Sequence, residues 1–412
     1  MKKNFIVGIC ILFLACNYSC NIKRNNNNEN TMVTDSAKQY GFNVRFLKKY
    51  VPVIELKSGE SYIAVVPSWQ GRVMTSTSEG EKGFSFGWIN HELVSSRKTL
   101  PHINAYGGEE RLWLGPEGGQ FSIFFKKGDD FIYDNWQTPD FLDTLPFEYK
   151  ELTDTSVIFT YDTEIENYSG AIFRLGIERK VSILSPSEIQ KLTGIDVSGI
   201  NCVAYSSENR LINKGTNAWE KETGLLSIWM LGMFNPSPAV TVVIPFREGD
   251  EKDLGVKVND NYFGKIPPDR LKITGNNIFF RADGKSRGKI GIPPLRAKGI
   301  MGSYDFDNNI LTLLICKLPE GRTDYVNSAW QIQDDPYSGD ALNSYNDGPL
   351  EDGSQMGPFY ELETSSPAAA LLPGEDMNHI QYTLHLTGKP EILDRIARSI
   401  FNTGLEEIRT AF

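Results

Sequence analysis

Histidine and cysteine are the scarce chemical groups of this 412-residue chain, and each scarcity excludes something. The four histidines, His91, His102, His379 and His385, form none of the closely spaced His/Cys sets that hold zinc, so no metal is expected. Of the five cysteines only Cys202 and Cys316 lie in the body of the chain. They are far apart in sequence, so an oxidising compartment permits a disulfide without requiring one, and two free buried thiols fit as well. No Walker-type loop, Gly-x-Ser-x-Gly elbow or dinucleotide fingerprint occurs, and no cofactor is expected. Gly107-Gly108 and Gly118-Gly119 read as turns instead. Positive charge is short as well. A net charge of -10 leaves no basic face for nucleic acid or polyanions, and points to a neutral partner.

Long apolar runs are missing too, with one exception at the start. Met1-Lys2-Lys3-Asn4 carries two positive charges, and Phe5 to Ala15 is almost wholly apolar, the pattern of a secretory signal. The run is shorter than the roughly 20 residues that span a bilayer, so the chain is expected to be exported but not transmembrane. Leu14-Ala15-Cys16 and Tyr18-Ser19-Cys20 each resemble the lipobox at which bacterial lipoproteins are cleaved and acylated. Cys16, directly behind the apolar run, is the favoured site; Cys20 has the commoner serine before it but Asn17 where an apolar residue is usual. Asn21 to Asn30 is too polar to bury anything and reads as a tether. The organisation expected is a signal and lipidation site over 1–20, a polar tether over 21–36, and one domain over 37–412. The membrane is then a partner only through the lipid anchor, on the periplasmic or cell-surface side.

What the chain does have is period-two alternation. In Phe173-Arg174-Leu175-Gly176-Ile177-Glu178 the apolar residues share one face and Arg and Glu the other, as in a half-buried antiparallel strand. Similar runs lie at Tyr62 to Val66, Phe121 to Phe125, Val157 to Tyr161, Ala239 to Phe246, Asn309 to Cys316 and Ile380 to Leu386. Many short strands without long helices between them predict an all-β sandwich rather than a βαβ fold. Helical spacing is confined to Ile392 through Phe401 after Pro390, with a turn near Ser187 to Leu192. The terminal helix is expected to seal an end of the sandwich.

The most informative stretch runs from Gly357-Pro358-Phe359-Tyr360-Glu361-Leu362-Glu363-Thr364-Ser365-Ser366-Pro367 to Leu372-Pro373-Gly374-Glu375 and the strand His379 to Leu386. It resembles the C-terminal part of the galactose mutarotase-like superfamily, where Leu-Glu-Thr-Gln before a proline precedes a Pro-Gly-Glu turn and a last tyrosine-bearing strand. Ser365 stands where that family has glutamine. The resemblance implies a β supersandwich with a carbohydrate-recognising cleft, and puts Glu363 at the position of the catalytic base. Alternation independently sets Glu361 and Glu363 on one strand face. Paired acids in a partly dry cleft raise one pKa, which suits acid/base work, whereas on a solvated face they would do nothing.

His102-Ile103-Asn104-Ala105-Tyr106-Gly107-Gly108-Glu109-Glu110-Arg111-Leu112-Trp113 is similar to that family's stretch of Asn, His-Gly-Gly and a Trp-bearing strand. Tyr106 then occupies the first histidine position, with His102 four residues upstream as a substitute acid. Glu109 and Arg111 follow as substrate-binding candidates, and Trp113 reads as core. Leu211 to Trp219 is similar to a third family segment, with Lys214 where the second histidine belongs. Tyrosine and lysine, with reference pKa values of about 10 and 10.4, are poorly matched to proton donation near neutrality.

One polar stretch remains, Gln333 to Pro349. Its carboxylates, amides and tyrosines suit sugar hydroxyls or a solvated loop equally, and its oxygens lack EF-hand spacing. Trp330 upstream could stack on a pyranose face, with Asn343 and Asp347 as polar contacts beside Glu361. Two functions are therefore expected as alternatives. One is an exported lipoprotein that binds a sugar or glycan without ordinary mutarotase activity. The other is an aldose 1-epimerase-type or related sugar-modifying enzyme with Glu363 as base.

Overall fold

The structure, a computed structural model, describes residues 37–412; the apolar leader, Cys16, Cys20 and the polar tether fall outside the described residues. In chain order its strands are β1 (Ile54–Ser58), β2 (Ser61–Val66), β3 (Arg72–Thr77), β4 (Arg111–Gly115), β5 (Glu148–Leu152), β6 (Ser156–Glu166), β7 (Ile172–Ile183), β8 (Asn201–Asn213) and β9 (Ser227–Phe234). There follow β10 (Val240–Pro245), β11 (Leu271–Thr274), β12 (Asn277–Arg281), β13 (Gly288–Ile292), β14 (Ile300–Asp305), β15 (Ile310–Cys316), β16 (Leu342–Asn346), β17 (Tyr360–Ser365) and β18 (Asp376–Thr387). They form antiparallel sheets of three (β1-β2-β3), ten (β11-β12-β10-β14-β15-β18-β8-β7-β6-β5) and five strands (β13-β16-β17-β9-β4). The all-β sandwich read from alternation is what the chain adopts.

The pleat sends alternate residues to opposite faces, and this decides what each sheet touches. Leu112, Leu114, Ile228 and Met230 of the five-stranded sheet cluster with Val157, Phe159, Leu175, Ile177, Val203 and Tyr205 of the ten-stranded one. Tyr360, Leu362 and Leu342 do the same with Val240, Val242, Met301 and Leu314. On β18, Leu384 and Leu386 turn the other way and meet the terminal helix Pro390–Phe401 through Leu393, Ile396, Ala397 and Phe401. That helix begins on Pro390 and ends with Asn402 in a left-handed cap. It covers the outer face of the ten-stranded sheet rather than an end of the sandwich, because the outward residues of β10, β14, β15 and β18 are apolar and need a cover. Each Leu, Ile or Phe fully buried there contributes about 1.5–3 kcal/mol.

Three expectations need correction. Phe121 to Phe125 is no strand but a turning segment, with Ile123 N–H bonded to Pro116 O and Phe124 N–H to Ser122 Oγ, and Phe124 and Phe125 buried without a ladder. Helices also form at Tyr40–Leu47 and His91–Ser96, the latter capped by Asn90 through Leu93 N–H. The turn near Ser187 is a full helix, Pro186–Thr193, with a Ser185/Glu188 capping box. Cys202 and Cys316 are free thiols, and burial pushes both up to about 12.

Candidate functional site

The five-stranded sheet has a second face, turned away from the ten-stranded sheet, and its ladder brings a set of buried charged groups together there. Leu231 on β9 lies opposite both Arg111 on β4 and Glu363 on β17, and Glu363 lies opposite Asn343 on β16. One pleat along, Glu361 lies opposite Tyr345, which lies opposite Lys289 on β13. Glu361 and Glu363 thus share a face, as alternation requires, while Leu362 and Thr364 between and beside them point into the sandwich.

Glu363 is fully buried. Its Oε2 accepts from Trp229 Nε1 and Lys289 Nζ, both at 2.9 Å, and its Oε1 has no protein partner. Glu361 accepts from Arg111 Nη2 at 2.7 Å, with both side chains over nine-tenths buried. Burial pushes the Glu361 carboxyl up to about 7; Arg111 pulls it back and the Glu363 charge adds to the rise. Burial opposes the Lys289 charge, but Glu363, then Glu117 and Glu361, outweigh it and hold the ammonium above its usual value.

Loops roof this face. Glu117, half-buried on the turn after β4, accepts from Trp330 Nε1 at 3.2 Å, and burial raises its pKa against the pull of Lys289. Asp340 accepts from Asn259 and Tyr262, and burial lifts it to about 6. Asn343 donates to Tyr262 Oη at 3.2 Å. Aromatic rings complete the surround: Lys289 Nζ sits 4.8 Å from the Trp229 ring, Arg111 4.6 Å from Trp113, and Trp113 meets Trp229 edge-on at 5.6 Å. Carboxylates, an amide, a phenol and indoles on one face can hold a polyhydroxylated ligand and exchange a proton near neutrality.

Of the residues singled out from sequence, Glu361, Glu363, Arg111 and Asn343 meet here, and Trp330 joins through Glu117. Four others do not. Glu109 faces the sandwich interior, bonded to His385 Nε2 and Ser76 Oγ. The strand β4 begins only at Arg111, so alternation does not extend back to Glu109. Tyr106 stacks on Trp69 at 4.3 Å in a separate core cluster, because Gly107 turns immediately after it. His102, in the loop before it, is tied by Nδ1 to the Trp136 carbonyl and packs on Tyr133. Asp347 spends its oxygens on Tyr345 Oη and Gly357 N–H, closing the turn after β16. Lys214 pairs with Asp162 at the surface. Gln333 to Pro349 is not one loop, since β16 runs through it. Lys289, Trp229, Glu117 and Tyr262 gave no motif signal, whereas Asp340 belongs to the polar stretch singled out from sequence; a lysine inside the buried strand Gly288–Ile292 was the one available cue for the others.

No curated protein matches the chain. Solved structures similar to it include a galactose mutarotase-like protein from Lactobacillus casei, 9% identical, TM-score 0.47, covering 81% of this chain and 100% of that one. Another is a galactose mutarotase related enzyme from Lactobacillus acidophilus, 10% identical, TM-score 0.45, covering 82% and 99%. A third is the Slr1438 protein of Synechocystis, 12% identical, TM-score 0.48, covering 82% and 96%. A family model described as a family of unknown function, DUF6786, matches residues 38–412, and the chain belongs to that family.

Proposed function

We propose that this domain recognises carbohydrate on the outer face of the five-stranded sheet, holding a sugar or glycan without the paired-histidine proton transfer of ordinary mutarotases. One observation carries the reading: Glu363 Oε1 is a buried acceptor without a protein partner, beside an oxygen fixed by Trp229 and Lys289. A buried polar group left unpaired is costly, and a sugar hydroxyl is a donor that would satisfy it. The indoles supply apolar faces for the C–H side of a sugar ring, while Asn343, Asp340 and Glu117 supply acceptors and donors for its edge. Neither His102 nor Tyr106 makes a hydrogen bond or ring contact with Glu363, which supports binding over anomer interconversion.

A second reading is favoured by Glu361, whose carboxyl sits near neutrality beside Glu363 and so suits proton exchange in a sugar-modifying enzyme. Calorimetry on a panel of sugars, beside NMR exchange of their anomers, separates the two. Binding that weakens roughly 10–100-fold in Glu363→Gln, with anomer exchange at the uncatalysed rate throughout, is the expected result. A rate enhancement that Glu363→Gln abolishes would replace it with the enzyme reading.

We infer also that the domain works outside the cytoplasm, held by a lipid on Cys16 or Cys20. The charged start, short apolar run and cysteines support this. Detergent-phase partitioning that vanishes when both cysteines are replaced is expected; partitioning unchanged in that variant would overturn the anchor.

A further inference from the structure

We propose a second ligand site on the other side of the sandwich: a cleft on the outer face of the ten-stranded sheet that binds a small organic oxyanion, a carboxylate or phosphate carried on a flat apolar ring. Thr241 on β10 lies opposite Arg281 on β12 and Tyr304 on β14. Val243, two residues on, packs in the cluster under the terminal helix, so this row faces outward. Past the edge of that cover, Pro238 to Thr241, Arg281, Phe306, Arg409 and Phe412 line a cavity of about 190 Å³. One water needs only roughly 10–15 Å³, so the space takes a small molecule.

The polar side chains of the cleft are donors, and they are unused. In a chain of net charge -10 carboxylates are plentiful, and Arg179, Arg210, Arg270 and Arg398 each hold one at 2.6–2.8 Å. Arg281 pairs with none; its Nε donates to the Asp269 carbonyl at 3.4 Å, which leaves both terminal amines without a partner among the described residues. Arg409 reaches Glu406 through Nε only at 3.7 Å. Thr241 is 7% exposed, and its hydroxyl makes no hydrogen bond among the described residues. A guanidinium fork matches the paired oxygens of a carboxylate or phosphate, and the hydroxyl adds a donor from the floor. Rings set the rest of the ligand. Arg281 sits 4.8 Å from the Phe412 ring and Arg409 4.4 Å from the Phe306 ring, so each guanidinium is steadied before a ligand arrives. Both rings are half-buried and keep apolar surface in the cleft, which a flat apolar body covers and a bare ion does not. Lys272, 5.5 Å from the Phe412 ring, adds a third positive charge.

The test is calorimetry on the full mature chain with phenyl phosphate, benzoate, inorganic phosphate and phenol as probes. Phenyl phosphate or benzoate should bind with a Kd of roughly 1 mM or tighter, and inorganic phosphate and phenol roughly tenfold more weakly. Arg281→Gln and Arg409→Gln should each weaken the ring-bearing anion roughly tenfold and Thr241→Val roughly threefold, while Arg398→Gln, whose partner is Asp394, changes nothing. Arg409 is exposed, so its variant reads binding without disturbing the fold. No binding of either ring-bearing anion at 10 mM, on the order of tenfold above that Kd, would overturn the site. So would affinity that survives in the Arg281→Gln/Arg409→Gln double variant. Inorganic phosphate binding as tightly as phenyl phosphate would overturn the role of the rings. The carbohydrate reading stands or falls separately, since its residues lie on the outer face of the other sheet.

Discussion

Two buried charge clusters lie on opposite faces of the same five-stranded sheet, and they differ in what encloses them. Between the sheets, Arg179 donates to Glu110, Asn209 and the Gly71 carbonyl, Gln381 links Glu110 to Thr364, and His379 bonds Thr364. Arg179 and Glu110 are fully enclosed. On the outer face the corresponding groups are roofed by loops and keep Glu363 Oε1 without a protein partner. Adjacent residues divide the labour, with Glu110 inside and Arg111 outside, Thr364 inside and Glu363 outside. A polar network sealed by two sheets orders the fold, whereas on the outer face loops do the covering.

The sharpest way to break this comparison is Arg179→Ala, which strands the Glu110 carboxylate. A stability cost of about 3–5 kcal/mol in urea unfolding is expected. A cost below about 1 kcal/mol would mean the inner cluster does not hold the fold.

Acidity separates the clusters next. Glu361 outside has a folded pKa of about 7 against a usual 4.5, so between those values only the folded state keeps the proton. Its effect on stability is therefore full below about pH 4.5 and lost as the pH rises through 7. His379 inside is pushed by burial down to about 4 from 6.5, so between those values only the unfolded chain is protonated. Stability from it is full above about pH 6.5 and lost as the pH falls through 4. Each effect is on the order of 3 kcal/mol at most, and in the native chain they oppose one another. Urea midpoints across this range should rise with pH in Glu361→Gln and fall with pH in His379→Gln. Profiles identical to the parent would show that neither group titrates as described.

Lys289→Gln sharpens the outer side. Loss of the ion pair should cost about 1–3 kcal/mol, less than Arg179→Ala, while sugar affinity falls further than in any inner-cluster variant. Equal affinity in Lys289→Gln and the parent would remove Lys289 from the site. The smallest effect is expected from Tyr106→Phe, which keeps the stack on Trp69: within about 1 kcal/mol in stability and no change in affinity by calorimetry. A large loss of binding would restore Tyr106 to the site.

The shared face of Glu361 and Glu363 was legible because alternation is a local rule and both residues belong to one strand. Glu109, expected as a substrate contact from its place in the motif beside Arg111, lies before β4, which begins only at Arg111. Trp136 and Tyr133 carried no pattern, because Phe121 to Trp136 folds as turns and stacked rings and not as a strand.

Sequence by itself determined the antiparallel sandwich, several of its strands, the terminal helix and the paired carboxylates, all of which follow from period-two and helical spacing within short windows. Tertiary structure alone decided which groups surround those carboxylates. Arg111 lies 250 residues from Glu361, and Trp229 and Lys289 lie 134 and 74 residues from Glu363. Separations of that size leave no local periodicity, so only sheet register could bring these groups together.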